Sequence, residues 1–146
     1  MPERRIEYQK VSHKSDTGYL VTAPSLERLY IDAALALTDQ LVALDLIDTS
    51  QKRSLSVSAD NPSSLMAKWL SEILNLFEKE KILCRRIVFN QFDGKKLTAT
   101  VFGQIYAPLR HGHVAGLLSI SSEKLQMGDN PNPEPHFFAR VFLDSV

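Results

Sequence analysis

The chain has 146 residues, 44% of them apolar, which fits one domain with a real core and is too short for two ordinary ones. Lys plus Arg and Asp plus Glu each total 17, and this balance gives no electrostatic drive toward nucleic acid or a membrane surface as the main partner. The single cysteine, Cys84, excludes an internal disulfide, and no run approaches the roughly 18 apolar residues of a membrane span. The opening Met1-Pro2-Glu3-Arg4-Arg5 lacks the apolar core of a secretion leader, so a cytoplasmic protein is expected.

The first stretch, residues 5–23, reads as extended. Ile6, Tyr8 and Val11 suggest one strand, and Tyr19-Leu20-Val21-Thr22 a second. Between them lies a polar knot, Ser12 to Gly18, in which Gly18 is available for a tight turn. Pro24-Ser25 opens a helix whose apolar residues fall at Leu26, Leu29, Tyr30, Ala33, Ala34, Leu37, Leu41 and Leu44, three and four apart. Ser25 is its expected N-cap, and Glu27 suits the positive helix start. A loop through Asp48-Thr49-Ser50 leads to a strand over residues 53–59, with Leu55 and Val57 facing one way and serines the other.

Asn61 as cap and Pro62 at the first helical position start a second helix. Its apolar face is Leu65, Met66, Trp69, Leu70, Ile73, Leu74 and Phe77, and it ends in the solvated run Glu78-Lys79-Glu80-Lys81. Residues 83–91 and 96–106 flank Asp93-Gly94, a strong hairpin signal. Cys84 falls in the first of these strands, where a buried, inert thiol is the expectation. Residues 117–127 follow as one strand, then a proline-rich loop from Gly128 to Pro135, then a last strand over residues 136–143. The order ββ-α-β-α-ββββ predicts a single α+β domain over residues 1–146, with two amphipathic helices on a mostly antiparallel sheet.

Catalytic signatures are sparse. His111-Gly112-His113 lacks further ligands at metal-site spacing and reads as surface polarity, and no zinc, nucleophile-elbow or phosphate-loop motif is present. The acids are more informative. Asp16 sits in the polar knot, and Asp144 closes an apolar strand in Phe142-Leu143-Asp144-Ser145-Val146. Each alone has a local explanation, an Asx-turn or a strand end. Brought together, they offer two hard oxygen donors that backbone carbonyls and water would complete into a Ca²⁺ or Mg²⁺ site.

Four segments in order resemble the archease family. His13-Lys14-Ser15-Asp16-Thr17-Gly18 is similar to that family's His-Thr-Ala-Asp-Ile-Gly. Ser25-Leu26-Glu27-Arg28-Leu29-Tyr30 with its Ala-rich continuation resembles Ser-Leu-Glu-Glu-Leu-Phe. Trp69-Leu70-Ser71-Glu72-Ile73-Leu74 is close to Trp-Leu-Asn-Glu-Leu-Leu, and Phe142-Leu143-Asp144-Ser145 resembles the family's closing apolar-Asp-Ile. The resemblance implies an α+β sandwich and a non-enzymatic accessory factor of the GTP-dependent RNA-splicing ligase. Such a factor promotes the ligase's guanylylation and turnover in tRNA splicing and RNA repair. It further implies a divalent metal, calcium first and Mg²⁺ or Mn²⁺ as alternatives, held by Asp16, Asp144 and the Ser145 carbonyl. His13 would orient Asp16 or touch the partner. No direct nucleic-acid or membrane binding is expected, and a homodimer is left open.

The sequence also departs from the family. Ser12 replaces an acid, Gln104 a glutamate, Leu118 a lysine and Glu123 a histidine. Two other readings follow: a binding or assembly module that kept the fold without ligase activation, and a small metal-dependent hydrolase using Asp16 with His13, His111 or His136.

Overall fold

The computed structural model describes residues 8–13, 16–112, 114, 118–131 and 136–145. Strands β1 (Tyr8–His13) and β2 (Asp16–Ala23) lead into helix α1 (Leu26–Leu41) and a 3-10 turn (Leu44–Leu46). Strand β3 (Gln51–Ser58) precedes helix α2 (Pro62–Glu80). Strands β4 (Ile82–Phe92) and β5 (Lys96–Ile105) form a hairpin, followed by the one-turn helix α3 (Pro108–His111). Strands β6 (Leu118–Ile120), β7 (Gln126–Asn130) and β8 (His136–Ser145) complete the described chain.

Where one sheet was expected, there are two, both antiparallel. One runs β1-β2-β8-β6 with β7 also on β8; the other runs β3-β5-β4. The helices bridge them. Helix α1 contacts β2 and β8 of the first sheet and β4 of the second, while α2 contacts β6 of the first and β3 and β4 of the second. That position explains why α1 is buried almost all round, from Leu29 and Tyr30 through Asp32 to Thr38, rather than along one stripe. The small Ala33, Ala34 and Ala36 let the sheets approach it from both sides.

Both helix starts are as the sequence predicts. The Ser25 hydroxyl accepts from the Arg28 N–H at 3.2 Å, and the Asn61 side chain accepts from the Ser64 N–H at 2.9 Å. Helix α2 ends on Lys81 in the left-handed region, its N–H donating to Phe77 O at 2.8 Å. At the centre, the fully buried Trp69, Tyr30 and Tyr19 each spend their polar atom on backbone. Trp69 Nε1 donates to Tyr30 O at 2.9 Å, Tyr30 Oη to Pro62 O at 2.5 Å, and Tyr19 Oη to Ala33 O at 2.9 Å. These bonds fix helix to helix and sheet to helix while satisfying groups that would be costly to bury unpaired.

Two local expectations are corrected. The predicted strand over residues 117–127 is two strands, β6 and β7, lying end to end along β8. Ile120 pairs with Leu143 and Gln126 with Arg140, so five residues, 121–125, bulge out opposite two. The second half of this interrupted strand takes in Gly128, Asp129 and Asn130, which the composition assigns to a loop. An edge position tolerates such residues because one side of the ladder is free.

The second correction concerns Gly18, which is in β2 rather than in a turn. It pairs with Val11 on one side and Phe142 on the other, and a Cβ there would lie 2.1 Å from Val141 O. Glycine is required by close strand approach, not by turn geometry. The residues between β1 and β2, Lys14 and Ser15, lie outside the described set.

Candidate functional site at one end of the larger sheet

The residues singled out in the sequence come together through strand register. His13, last in β1, pairs with Asp16, first in β2. Thr17 of β2 pairs with Leu143 of β8, so extending that register by one residue brings position 16 level with position 144. On the far side of β8, Asp144 pairs with Ser119 of β6, and Ser145 with Leu118. His13, Asp16, Asp144 and Ser119 therefore occupy one row across four strands, with Ser145 next along β8. The residues are far apart in sequence, and only the antiparallel pairing of β2 with β8 unites them.

Parity assigns Asp144 to a face. On β8, Ala139 and Val141 are buried toward the helices, so Arg140, Phe142 and Asp144 belong to the opposite face, where Asp144 is exposed. Gly18 and the Ser121 N–H, which donates to Phe142 O at 2.9 Å, hold the strands close just below the acidic row. Ser119 was not picked out from sequence; the β6–β8 register, which no local pattern reveals, sets it opposite Asp144.

The donors at this end are carboxylate and carbonyl oxygens, with hydroxyls beside them, the set that suits a hard divalent cation. Among the described residues, no group of three or more His, Cys, Asp or Glu side chains is gathered for a metal.

The other histidines do different work. His111 is buried at 5% exposure, not a surface residue as its glycine-flanked sequence suggests. Its Nδ1 accepts from the Ala107 N–H at 2.9 Å, which leaves Nε2 to donate to Gln104 Oε1, also at 2.9 Å. The same Gln104 oxygen accepts from the Asp48 N–H at 3.0 Å, and Arg110 Nε donates to Leu46 O at 2.9 Å. This network pins α3 to the loop that precedes β3, and both imidazole nitrogens are engaged in it. His113 lies outside the described residues. His136 begins β8, eight residues from Asp144, or about 27 Å along an extended strand, too far to share chemistry with it. Of the three histidines considered for a hydrolase, only His13 lies in the acidic row.

Cys84 is buried in β4 beside Gly103, and burial pushes its thiol up to about 12. A group so resistant to forming thiolate is a packing residue, as its flanks predict.

This geometry defines a class: a two-sheet α+β protein in which both long helices contact both antiparallel sheets. Comparison with known proteins gives the family. Residues 8–144 match the Archease protein family (MTH1598/TM1083). Protein archease of Pyrobaculum neutrophilum is 27% identical over 109 residues, 73% of this chain and 74% of that one. Protein archease of Methanosarcina mazei is 21% identical over 131 residues, 87% of this chain and 90% of that one.

The solution structure of Methanobacterium thermoautotrophicum protein 1598 superposes with a TM-score of 0.76 at 23% identity, covering 94% of this chain and 97% of that one. A Thermotoga maritima crystal structure, described as an archease and possible chaperone, gives a TM-score of 0.59 at 12% identity, covering 98% and 100%. The chain belongs to the archease family. No helix among the described residues is long and apolar enough to cross a membrane.

Proposed function

We propose that this archease is an accessory factor of the GTP-dependent RNA-splicing ligase and carries a divalent cation, calcium first among candidates, at Asp16, Asp144 and the Ser145 carbonyl. The β2–β8 pairing, which runs up to Thr17 and Leu143 next to the two acids, carries this reading. The cation, its charge balanced by the two carboxylates, would give the sheet end a fixed Lewis-acidic centre. Presented to the ligase, that centre would help place metal or nucleotide for attack on GTP, and the nucleophile would be the ligase's own. His13, which pairs with Asp16 in the β1–β2 register, would orient it or meet the partner.

The test mixes the RNA ligase of the same organism with GTP and divalent metal, with and without this protein, and follows the covalent ligase–GMP adduct. Faster adduct formation that is lost with Asp144→Ala supports the reading. No acceleration by a folded sample with an active ligase defeats it.

A second reading is favoured by one observation. Leu118, which stands where the family carries lysine, pairs with Ser145 beside the acidic row. An apolar residue there would remove a charged contact with the ligase and leave a binding module with another partner. Leu118→Lys separates the two: gained activation marks the native chain as a module that lost the contact, and unaltered strong activation by both forms rejects that reading.

A further inference from the structure

The chain's balance of 17 Lys and Arg against 17 Asp and Glu hides an uneven placement. The smaller sheet, β3-β5-β4, has both long helices on one side. Leu97, Ala99 and Val101 are buried there, so Lys96, Thr98, Thr100 and Phe102 of β5 belong to the outer face. The register adds their neighbours. Lys52 and Arg86 flank Phe102 from either side, Ser54 and Ser56 pair with Thr100 and Thr98, and Ser58 pairs with Lys96. From β4, Val88 and Gln91 complete the rows. None of these outward positions is Asp or Glu.

Lys52, Arg86 and Lys96 are exposed, and among the described residues no ion pair engages any of them. Arg53, which alternates to the other face, is the contrast: its Nε meets Glu80 Oε1 at 2.8 Å. The hairpin's acid, Asp93, lies in the turn beside Lys95, so that end of the sheet stays positive. A protein neutral overall therefore presents a positive outer face, complementary to a polyanion. Net charge, from which no nucleic-acid binding was expected, is blind to this separation.

A second feature selects among polyanions. The Arg86 guanidinium carbon lies 5.4 Å from the centre of the half-buried Phe102 ring. Ring and guanidinium together offer a stacking surface of the kind that takes an unpaired base. Lys96 stands six residues further back on β5, about 20 Å away. Between them lie the hydroxyls of Ser54, Ser56, Thr98 and Thr100, with the Asn90 amide donating to Thr100 Oγ1 at 3.1 Å.

We propose that the outer face of the β3-β5-β4 sheet binds single-stranded nucleic acid. A base stacks at Phe102 and Arg86, phosphates lie against Lys52 and Lys96, and the hydroxyls between meet sugars and base edges. An acidic peptide would use the cations and leave the stacking surface without a partner. A duplex keeps its base faces inside the stack and cannot present one to Phe102. The site lies on a different sheet from Asp144 and rests on neither the cation nor the ligase proposed above.

The test is fluorescence anisotropy of a labelled twelve-nucleotide oligouridylate titrated with the whole protein. Binding is expected at about 10–100 µM in 50 mM salt, with a salt slope of about −2 from three phosphate contacts, hence about twentyfold weaker at 200 mM. Lys52→Ala and Lys96→Ala should each weaken binding and make the slope shallower by about 0.7. Phe102→Leu keeps apolar bulk and should cost about tenfold in affinity with the slope unchanged. Arg140→Ala, exposed on the larger sheet, should leave binding as it is. In the unmodified protein the oligonucleotide should shift amide resonances from Thr98 to Phe102, a readout independent of how the variants fold. The proposal is overturned by no binding at 1 mM protein, by a salt slope that the lysine variants leave unaltered, by a duplex of the same length or polyglutamate binding as tightly as the oligouridylate, or by shifts confined to the larger sheet.

Discussion

Replacing Gly18 by alanine should destabilise the fold through one identifiable clash. The added Cβ would lie 2.1 Å from Val141 O, a main-chain atom, and 1.3 Å short of the 3.4 Å at which ordinary contact begins. Backbone in the middle of a sheet cannot rotate away, so β2 and β8 must part locally. An opening of that size breaks the ladder bonds on either side. Two such bonds at about 1 kcal/mol each, with some residual strain, give a loss of about 2–3 kcal/mol.

Gly94 is the control. Its φ is +88 and nothing lies within 4 Å of its Cβ position, so Gly94→Ala should cost only about 1 kcal/mol, from conformational strain. Urea denaturation of the two variants and the parent measures both. A Gly18→Ala loss no larger than that of Gly94→Ala would refute the close-approach argument, and with it the reason given for glycine at position 18.

Other consequences follow from the same structure. Tyr19→Phe removes the hydroxyl that reaches Ala33 O and should cost about 1 kcal/mol in denaturant unfolding. His111→Ala should lower stability by about 1–2 kcal/mol, because it strips partners from Gln104 and the Ala107 N–H, yet leave cation affinity untouched; lost affinity would return His111 to the metal set. Cys84, its thiol held near 12, should stay silent to a thiol reagent at mild alkaline pH until the protein is unfolded.

Asp93 accepts from the N–H groups of Lys95 and Lys96, and these bonds hold its carboxyl below the usual range. A depressed folded value means the stabilisation is present above the unfolded value and is lost as pH falls through the folded one. The stability gap between the parent and Asp93→Ala should therefore shrink as pH drops from about 6 to about 2.5, and a gap that widens would contradict the assignment.

Much of this was legible in sequence where the signal is local. Ser25 and Asn61 cap helices because their side chains satisfy orphan N–H groups three residues on, an arrangement readable at fixed spacing. The Asp93-Gly94 hairpin is equally local. What the sequence hid depends on tertiary pairing. The split into two sheets is not readable from strands of similar composition. The Ala-rich α1 reads as one apolar face, although sheets on both sides bury it almost all round.

Gly18 resembles a turn glycine until β8, more than a hundred residues later, is laid beside it. His111 looks polar and exposed because its partners, Gln104 and the Ala107 N–H, are invisible to composition. For the acidic row, residue types and order gave the candidates, and only the β2–β8 register united them.

The most direct test of the account is calorimetric titration of Ca²⁺ into the protein and into Asp16→Asn and Asp144→Asn, with thermal unfolding of each in chelator and in calcium. The account predicts one site in the parent, lost in either variant, and calcium-dependent stabilisation of the parent alone. Equal calcium affinity in all three proteins would contradict the claim that the row joining Asp16 to Asp144 is the centre of this archease's function.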